Sequence, residues 1–154
     1  MAVISEMLQR ENIRIMDEVP DWETAIRTSL VPLEEGGFVE KRYAEEIIKS
    51  TKEIGPYYVL TDDIALIHGR PEQGVLKKQL AITVVRKPVF FTGCDYPVRI
   101  LLALAATDAN SHVDVMQVLA SIFVDEDKIK RVAEAGSPEE IYDFFVAEEK
   151  RGGE

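Results

Sequence analysis

The chain has 154 residues, 46% of them hydrophobic, and carries 18 Lys and Arg against 28 Asp and Glu, for a formal charge of −10 and an isoelectric point near 4.8. That length suits one domain, 1–154, whose core is large enough to need no cross-links. The acidic balance excludes nucleic acid and anionic membrane as partners of the surface as a whole, because phosphates are held by clustered Lys and Arg. A lone Cys94 excludes an internal disulfide. The opening MAVISEMLQR does not read as a secretion signal, and the longest apolar run, residues 100–106, is far too short to span a bilayer. A soluble cytoplasmic protein is expected.

The first third of the sequence reads as helical. Asp21 can cap a helix whose positions Trp22, Ala25, Ile26, Ser29 and Leu30 recur at three- and four-residue spacing, and which should stop near Gly36 and Gly37. A second helix, about 40–52, places Tyr43, Ala44, Ile47 and Ile48 on one face, and Gly55-Pro56 ends it.

From there the period changes. Residues 57–60, 64–67, 80–85 and 98–104 form short apolar runs bounded by turn residues such as Thr61-Asp62-Asp63, Lys87-Pro88 and Gly93. Their continuous apolar character suggests strands covered on both faces, although the Leu- and Ala-rich run 98–104 fits a buried helix equally on pattern alone.

Helices return in the final third. Asn110 or Ser111 can cap one that carries Val113, Met116, Val118, Leu119, Ile122 and Phe123. Asp125 can cap a second, closed by Gly136, and Ser137-Pro138-Glu139-Glu140 is a capping box with proline at the first helical position. Residues 148–154, EEKRGGE, read as frayed. Helices before and after a block of strands predict an α/β fold (α+β in some schemes), a three-layer α/β/α sandwich with a central mixed β-sheet flanked by helices.

The sequence holds two histidines, both at junctions between elements. His68 ends the run Ile64-Ala65-Leu66-Ile67 and precedes Gly69-Arg70-Pro71, so an apolar strand delivers an imidazole to a loop. His112 falls in the first turn of a predicted helix, where unpaired amides and the helix dipole favour an anion. A neutral imidazole offers a nitrogen lone pair that can accept a phosphoryl group without an activating base. His112 can donate a hydrogen bond to a phosphoryl oxygen, and Arg70 can add charge to the same anion. Against this stands the plainer reading of polar residues at a surface edge, with Arg70, Asp62, Asp63 and Asp108 as ordinary loop, turn and capping residues. Cys94 has no cationic neighbours in sequence to activate its thiol. No nucleotide-binding glycine loop, nucleophile elbow, paired-Cys zinc pattern or His-Glu-x-x-His is present.

Taken together, GPYYVLTDDIALIHGRPEQGV, a strand ending in RKPVFF, and ALAATDANSHVDVMQVLASIF resemble the enzyme IIA components of the bacterial phosphotransferase sugar-uptake system. The resemblance is to the mannitol/fructose-type fold and most of all to its ascorbate-specific branch, and runs from about Trp22 to the final helix. It implies that His68 is phosphorylated on Nε2 and that His112 lies beside it and helps hold the phosphoryl group, with Arg70 and Ser111 as further phosphate-binding groups. It also implies a phosphoryl donor, HPr, and an acceptor cysteine on enzyme IIB, which phosphorylates the sugar as it passes through the membrane-embedded enzyme IIC. No metal, nucleotide or other cofactor is implied, and a homodimer is left open.

Two departures stand out. Ile67 occupies the place of the family's usual proline, which restores an amide donor, and Thr61-Asp62-Asp63 replaces a turn that is often Ala-Pro-Gly. Two carboxylates there would repel a phosphoryl group if they faced it. The same fold also occurs as a signalling domain, so a regulatory module whose His68 phosphorylation is sensed rather than relayed is the second reading. Metal-dependent hydrolysis by His68, His112 and a carboxylate such as Asp108 is a third, weak because histidines so far apart in sequence form no local ligand motif.

Overall fold

The computed structural model describes residues 6–107 and 109–152, with the side chains at 60, 109–112, 114, 123, 151 and 152 outside that description. In chain order the elements are β1 (Leu8–Met16), α1 (Trp22–Glu35), α2 (Arg42–Ile54), β2 (Val59–Thr61), β3 (Asp63–Ile67), a 3-10 turn (Pro71–Gln73), β4 (Gln79–Val89), β5 (Val98–Ala105), α3 (Ala109–Phe123), α4 (Glu126–Ala133) and α5 (Pro138–Gly152). Among the described residues the strands form one five-stranded sheet in the order β1-β4-β5-β3-β2. It is mixed: β1 runs parallel to β4 and β3 parallel to β5, while β4 with β5 and β2 with β3 are antiparallel.

The continuous apolar runs are explained by two cores, one on each face of the sheet. Along β3, β4 and β5 the even-numbered Ile64, Leu66, Leu80, Ile82, Val84, Ile100, Leu102 and Leu104 pack under Val115, Leu119, Ile122, Ile129, Val132, Ile141 and Phe145 of α3, α4 and α5. The odd-numbered Ala65, Ile67, Ala81, Val85, Leu101, Ala103 and Ala105 pack under Ala25, Ile26, Leu30 and Leu33 of α1 and Tyr43, Ala44, Ile47 and Ile48 of α2. A side-chain period of two, apolar on both faces, gives a nearly continuous apolar run in sequence and a three-layer sandwich in space. Run 98–104 is therefore strand, not helix.

Three of the predicted caps hold. Asp21 accepts from the amide of Thr24, Asp125 from those of Asp127 and Lys128, and the Ser137 hydroxyl from that of Glu140. Four expectations fail. Residues 8–16 form an edge strand that the polar run Gln9-Arg10-Glu11 conceals, since its register against β4 is broken between Leu8 and Ile13. Val113 is half exposed, and Val115, two residues on, takes the core position. The final helix does not fray from residue 148 but continues to Gly152, because Glu148 and Glu149 are buried and Lys128 Nζ lies 2.8 Å from Glu148 Oε2. Helix α3 begins at Ala109, so Asn110 and Ser111, expected as caps, stand inside its first turn. No helix among the described residues is long and apolar enough to cross a membrane.

Candidate functional site

Strand β3 is buried along residues 64–67 and surfaces at His68, which is half-buried. The strand stops there for local reasons. Pro71 opens a 3-10 turn, Gln73 Oε1 accepts from the Arg70 amide at 2.7 Å, and the Gln73 amide donates to the Arg70 carbonyl at 3.0 Å. Helix α2 ties the turn down from outside, through Arg42 Nη2 to the Glu72 carbonyl at 2.9 Å.

The imidazole is oriented by the backbone. His68 Nδ1 lies 2.7 Å from the Leu66 carbonyl oxygen. A carbonyl only accepts, so Nδ1 carries the proton and the lone pair of the neutral ring belongs to Nε2. Tyr57 braces the same residue twice: its hydroxyl donates to the His68 carbonyl at 2.5 Å, and its ring meets the imidazole edge-to-face, with centroids 5.4 Å apart at 84°. His68 opens onto a shallow depression of about 240 Å³ lined also by Ser50, Ile54, Tyr57, Gly69, Arg70 and Gln73. A larger depression, about 560 Å³, lies over α4 and α5 and does not include His68; its walls carry three carboxylates, Glu139, Glu140 and Asp143, against one cation, Arg131, a balance that disfavours an anion.

Arg70 shares the depression with His68. Its Nε contacts Glu72 Oε1 at 2.9 Å, with both side chains more than two-thirds exposed. An exposed pair of this kind is worth under about 1 kcal/mol, so Glu72 does not lock the guanidinium away from an incoming phosphate.

His112 is the fourth residue of α3. Its side chain and that of Ser111 lie outside the described residues, as does Asp108. The backbone nevertheless brings their segment to the right edge: β3 and β5 are parallel, Ile67 pairs with Ala103, and the chain leaves both strands at the same end of the sheet before α3 begins. Ile67, in place of the family's usual proline, is fully buried and paired within this ladder.

Asp62 and Asp63 do not crowd the site. They sit at the start of β3, and five residue steps along the strand, about 16 Å, separate Asp63 from His68. Asp63 adopts φ +73°, a left-handed conformation that aspartate tolerates better than most residues, and Arg99 grips its carboxylate at 2.8 and 3.2 Å. Among the described residues no three His, Cys, Asp or Glu side chains gather as a metal site.

Tyr43 reads in the sequence only as core, a tyrosine on the apolar face of a helix. It is fully buried, and its hydroxyl accepts from the Gly69 amide at 2.8 Å and donates to the Leu104 carbonyl at 3.0 Å. Burial pushes its phenol up to about 12. A group whose pKa is higher in the folded than in the unfolded chain adds stability that is complete below the unfolded value, near 10, and is lost as pH rises through the folded one. Tyr43 therefore contributes about 2–3 kcal/mol that disappears between pH 10 and about 12. Burial raises Tyr58 in the same direction. A phenolate absorbance titration should show these two ionising in a delayed step together with unfolding, and Tyr43→Phe should remove one of them from it; a single step near pH 10 for every tyrosine would contradict the assignment.

A family model described as the phosphoenolpyruvate-dependent sugar phosphotransferase system, EIIA 2, matches residues 6–148. The ascorbate-specific EIIA component of Shigella boydii is 34% identical over 148 residues, covering 94% of this chain and 96% of the relative. The solution structure of the mannitol-specific cryptic phosphotransferase enzyme IIA from Escherichia coli superposes with a TM-score of 0.86 at 31% identity, covering 96% and 99%. A second Escherichia coli structure, a complex of mannitol enzyme IIA with phosphorylated enzyme IIB, gives a TM-score of 0.79 at 28% identity, covering 91% and 97%. With nearly the whole chain matched in sequence and in fold, this protein belongs to the EIIA 2 family of the sugar phosphotransferase system.

Proposed function

We propose that this protein is a cytoplasmic phosphoryl carrier that accepts a phosphoryl group on His68 Nε2 from phospho-HPr and passes it to a cysteine of its cognate enzyme IIB, for uptake of ascorbate or a related sugar through IIC. The observation that carries this reading is the bond from His68 Nδ1 to the Leu66 carbonyl. The Nε2 lone pair attacks phosphorus, the bond from phosphorus to the donor's histidine nitrogen breaks, and that electron pair stays with HPr. Positive charge then develops on the His68 ring and is shared by Nδ1–H, so the bond to Leu66 strengthens as transfer proceeds. In the second step the IIB thiolate attacks phosphorus and the electron pair returns to Nε2, so neither step needs a metal or nucleotide.

Arg70 and Ser111 are assigned to the phosphoryl oxygens, and His112, from α3, to a hydrogen bond that steadies the group. The complex of a related IIA with phosphorylated IIB supports a IIB partner. The apolar residues Ile54 and Tyr57, exposed beside His68, suit a small transient interface, since both partners must meet one imidazole in turn.

The test is a relay: incubation with phosphoenolpyruvate, enzyme I and HPr, followed by a chase with IIB. Label should enter the protein and leave it for IIB, and His112→Ala should slow uptake or shorten the life of the label. Stable label with no onward transfer to IIB is the outcome of the regulatory reading and would contradict this one.

A further inference from the structure

We propose that Tyr43 is a positioning residue for phosphoryl transfer, its hydroxyl wedged between the diverging ends of β3 and β5 so that it sets the spacing between the His68 segment and the start of α3. This rests on the reading of His68 as acceptor. Strands β3 and β5 are parallel, and Ile67 with Ala103 is their last pair. The Leu66 amide donates to the Tyr58 carbonyl, on the β2 side. Backbone groups of successive strand residues point to alternate sides, so Ile67 and Gly69 direct their amides toward β5. An uninterrupted ladder would next join the Gly69 amide directly to the Leu104 carbonyl.

The structure joins these two groups through Tyr43 instead: the Gly69 amide donates to the phenol oxygen at 2.8 Å, and the phenol donates to Leu104 at 3.0 Å. Two hydrogen bonds in series stand where a sheet uses one, and the strand ends are held open by a single oxygen atom. On the β3 side the very next residue upstream is His68. On the β5 side the chain continues through Ala105 to α3, which carries His112. Tyr43 cannot swing aside, because it is fully buried and its ring edge lies 3.2 Å from where a Gly69 Cβ would stand. The spacing matters because a misplacement of about 1 Å between reacting groups can cost about a hundredfold in rate.

Tyr43→Phe keeps the ring and deletes the wedge. The strand ends then close, or two buried polar groups lose their partner, and the His68 ring shifts in either case. Tyr58→Phe is the comparison, for it removes a similarly buried hydroxyl contact, to Thr51 at 2.6 Å, that joins neither Gly69 nor Leu104. Uptake from phospho-HPr should slow at least about tenfold in Tyr43→Phe, with changed ¹⁵N shifts of the His68 ring, and should stay near the native rate in Tyr58→Phe. Native uptake and native ring shifts in Tyr43→Phe, or equal slowing in both variants, would overturn the proposal. Should Tyr43→Phe not fold, the native protein still decides: its Tyr43 hydroxyl proton should exchange slowly enough to be seen by NMR, and free exchange would overturn the wedge. Labelling of His68→Ala at the native rate would overturn the acceptor reading and this proposal with it; an unlabelled His68→Ala beside an unaffected Tyr43→Phe would overturn only the positioning role.

Discussion

His68→Ala is expected to abolish phosphoryl uptake from phospho-HPr and to leave the fold intact. Among the described contacts, truncation removes a hydrogen bond to Leu66 and an edge-to-face contact with Tyr57. Each is worth about 1 kcal/mol, against the roughly 5–15 kcal/mol that holds a domain together. The residue is half-buried, so no sealed cavity forms. Transfer, by contrast, loses its nucleophile: among the described residues the other side chains of the depression are Ser50, Ile54, Tyr57, Arg70 and Gln73. Among the described residues neither the serine nor the tyrosine there has a base to activate it once the imidazole is gone, and His112 is assigned to steady the group rather than to accept it. Circular dichroism and urea denaturation should show a folded protein destabilised by about 1–2 kcal/mol, while label falls below detection; labelling at a measurable fraction of the native rate would place the acceptor elsewhere.

Gly69→Val is the second large effect, and it acts on position rather than chemistry. A Cβ at residue 69 would stand 2.6 Å from Gln73 Oε1, 3.2 Å from Ile47 Cγ1 and 3.2 Å from Tyr43 Cε1. The first neighbour is the tip of a flexible side chain, so Gly69→Ala is accommodated by moving the Gln73 amide, at the loss of its bond to the Arg70 amide, about 1 kcal/mol. The branched side chain of valine presses further on Ile47 and Tyr43, both fully buried and unable to yield. The segment must then lift outward, which breaks the Gly69 bond to Tyr43 and re-aims His68. We expect about 2–3 kcal/mol of destabilisation and at least a tenfold slower uptake for valine, with alanine intermediate in both. Native stability and rate in Gly69→Val would show that the close packing around residue 69 does not govern the site.

Most of the architecture was legible because its signals are local. Asp21, Asp125 and Ser137 announce helix starts, and the apolar runs at 64–67, 80–85 and 98–104 announce strands buried on two faces. Residues 8–16 were not, since only Ile13-Arg14-Ile15-Met16 keeps an even register with β4 and the polar run before it makes no period of two. The imidazole of His68 was legible as a polar residue at the end of an apolar strand. What orients it was not: the Leu66 carbonyl is backbone and has no sequence signature, and Tyr43 lies 25 residues upstream on the core face of α2, where its apolar ring disguises its polar role. The Asp62-Asp63 pair misled in the other direction. Closeness to His68 in sequence becomes separation in space when the intervening residues form a strand, and the carboxylate of Asp63 is spent on Arg99.

The central claim is that the backbone fixes one tautomer of His68 so that Nε2 receives the phosphoryl group. Its most direct test is ¹⁵N and ³¹P NMR of protein labelled at histidine nitrogen, before and after incubation with phospho-HPr. The unmodified ring should show a protonated Nδ1 hydrogen-bonded to Leu66, and the phosphorylated ring should show phosphorus coupled to Nε2 with Nδ1 still protonated. Phosphorus coupled to Nδ1 of His68, or to a nitrogen of His112, would contradict the account.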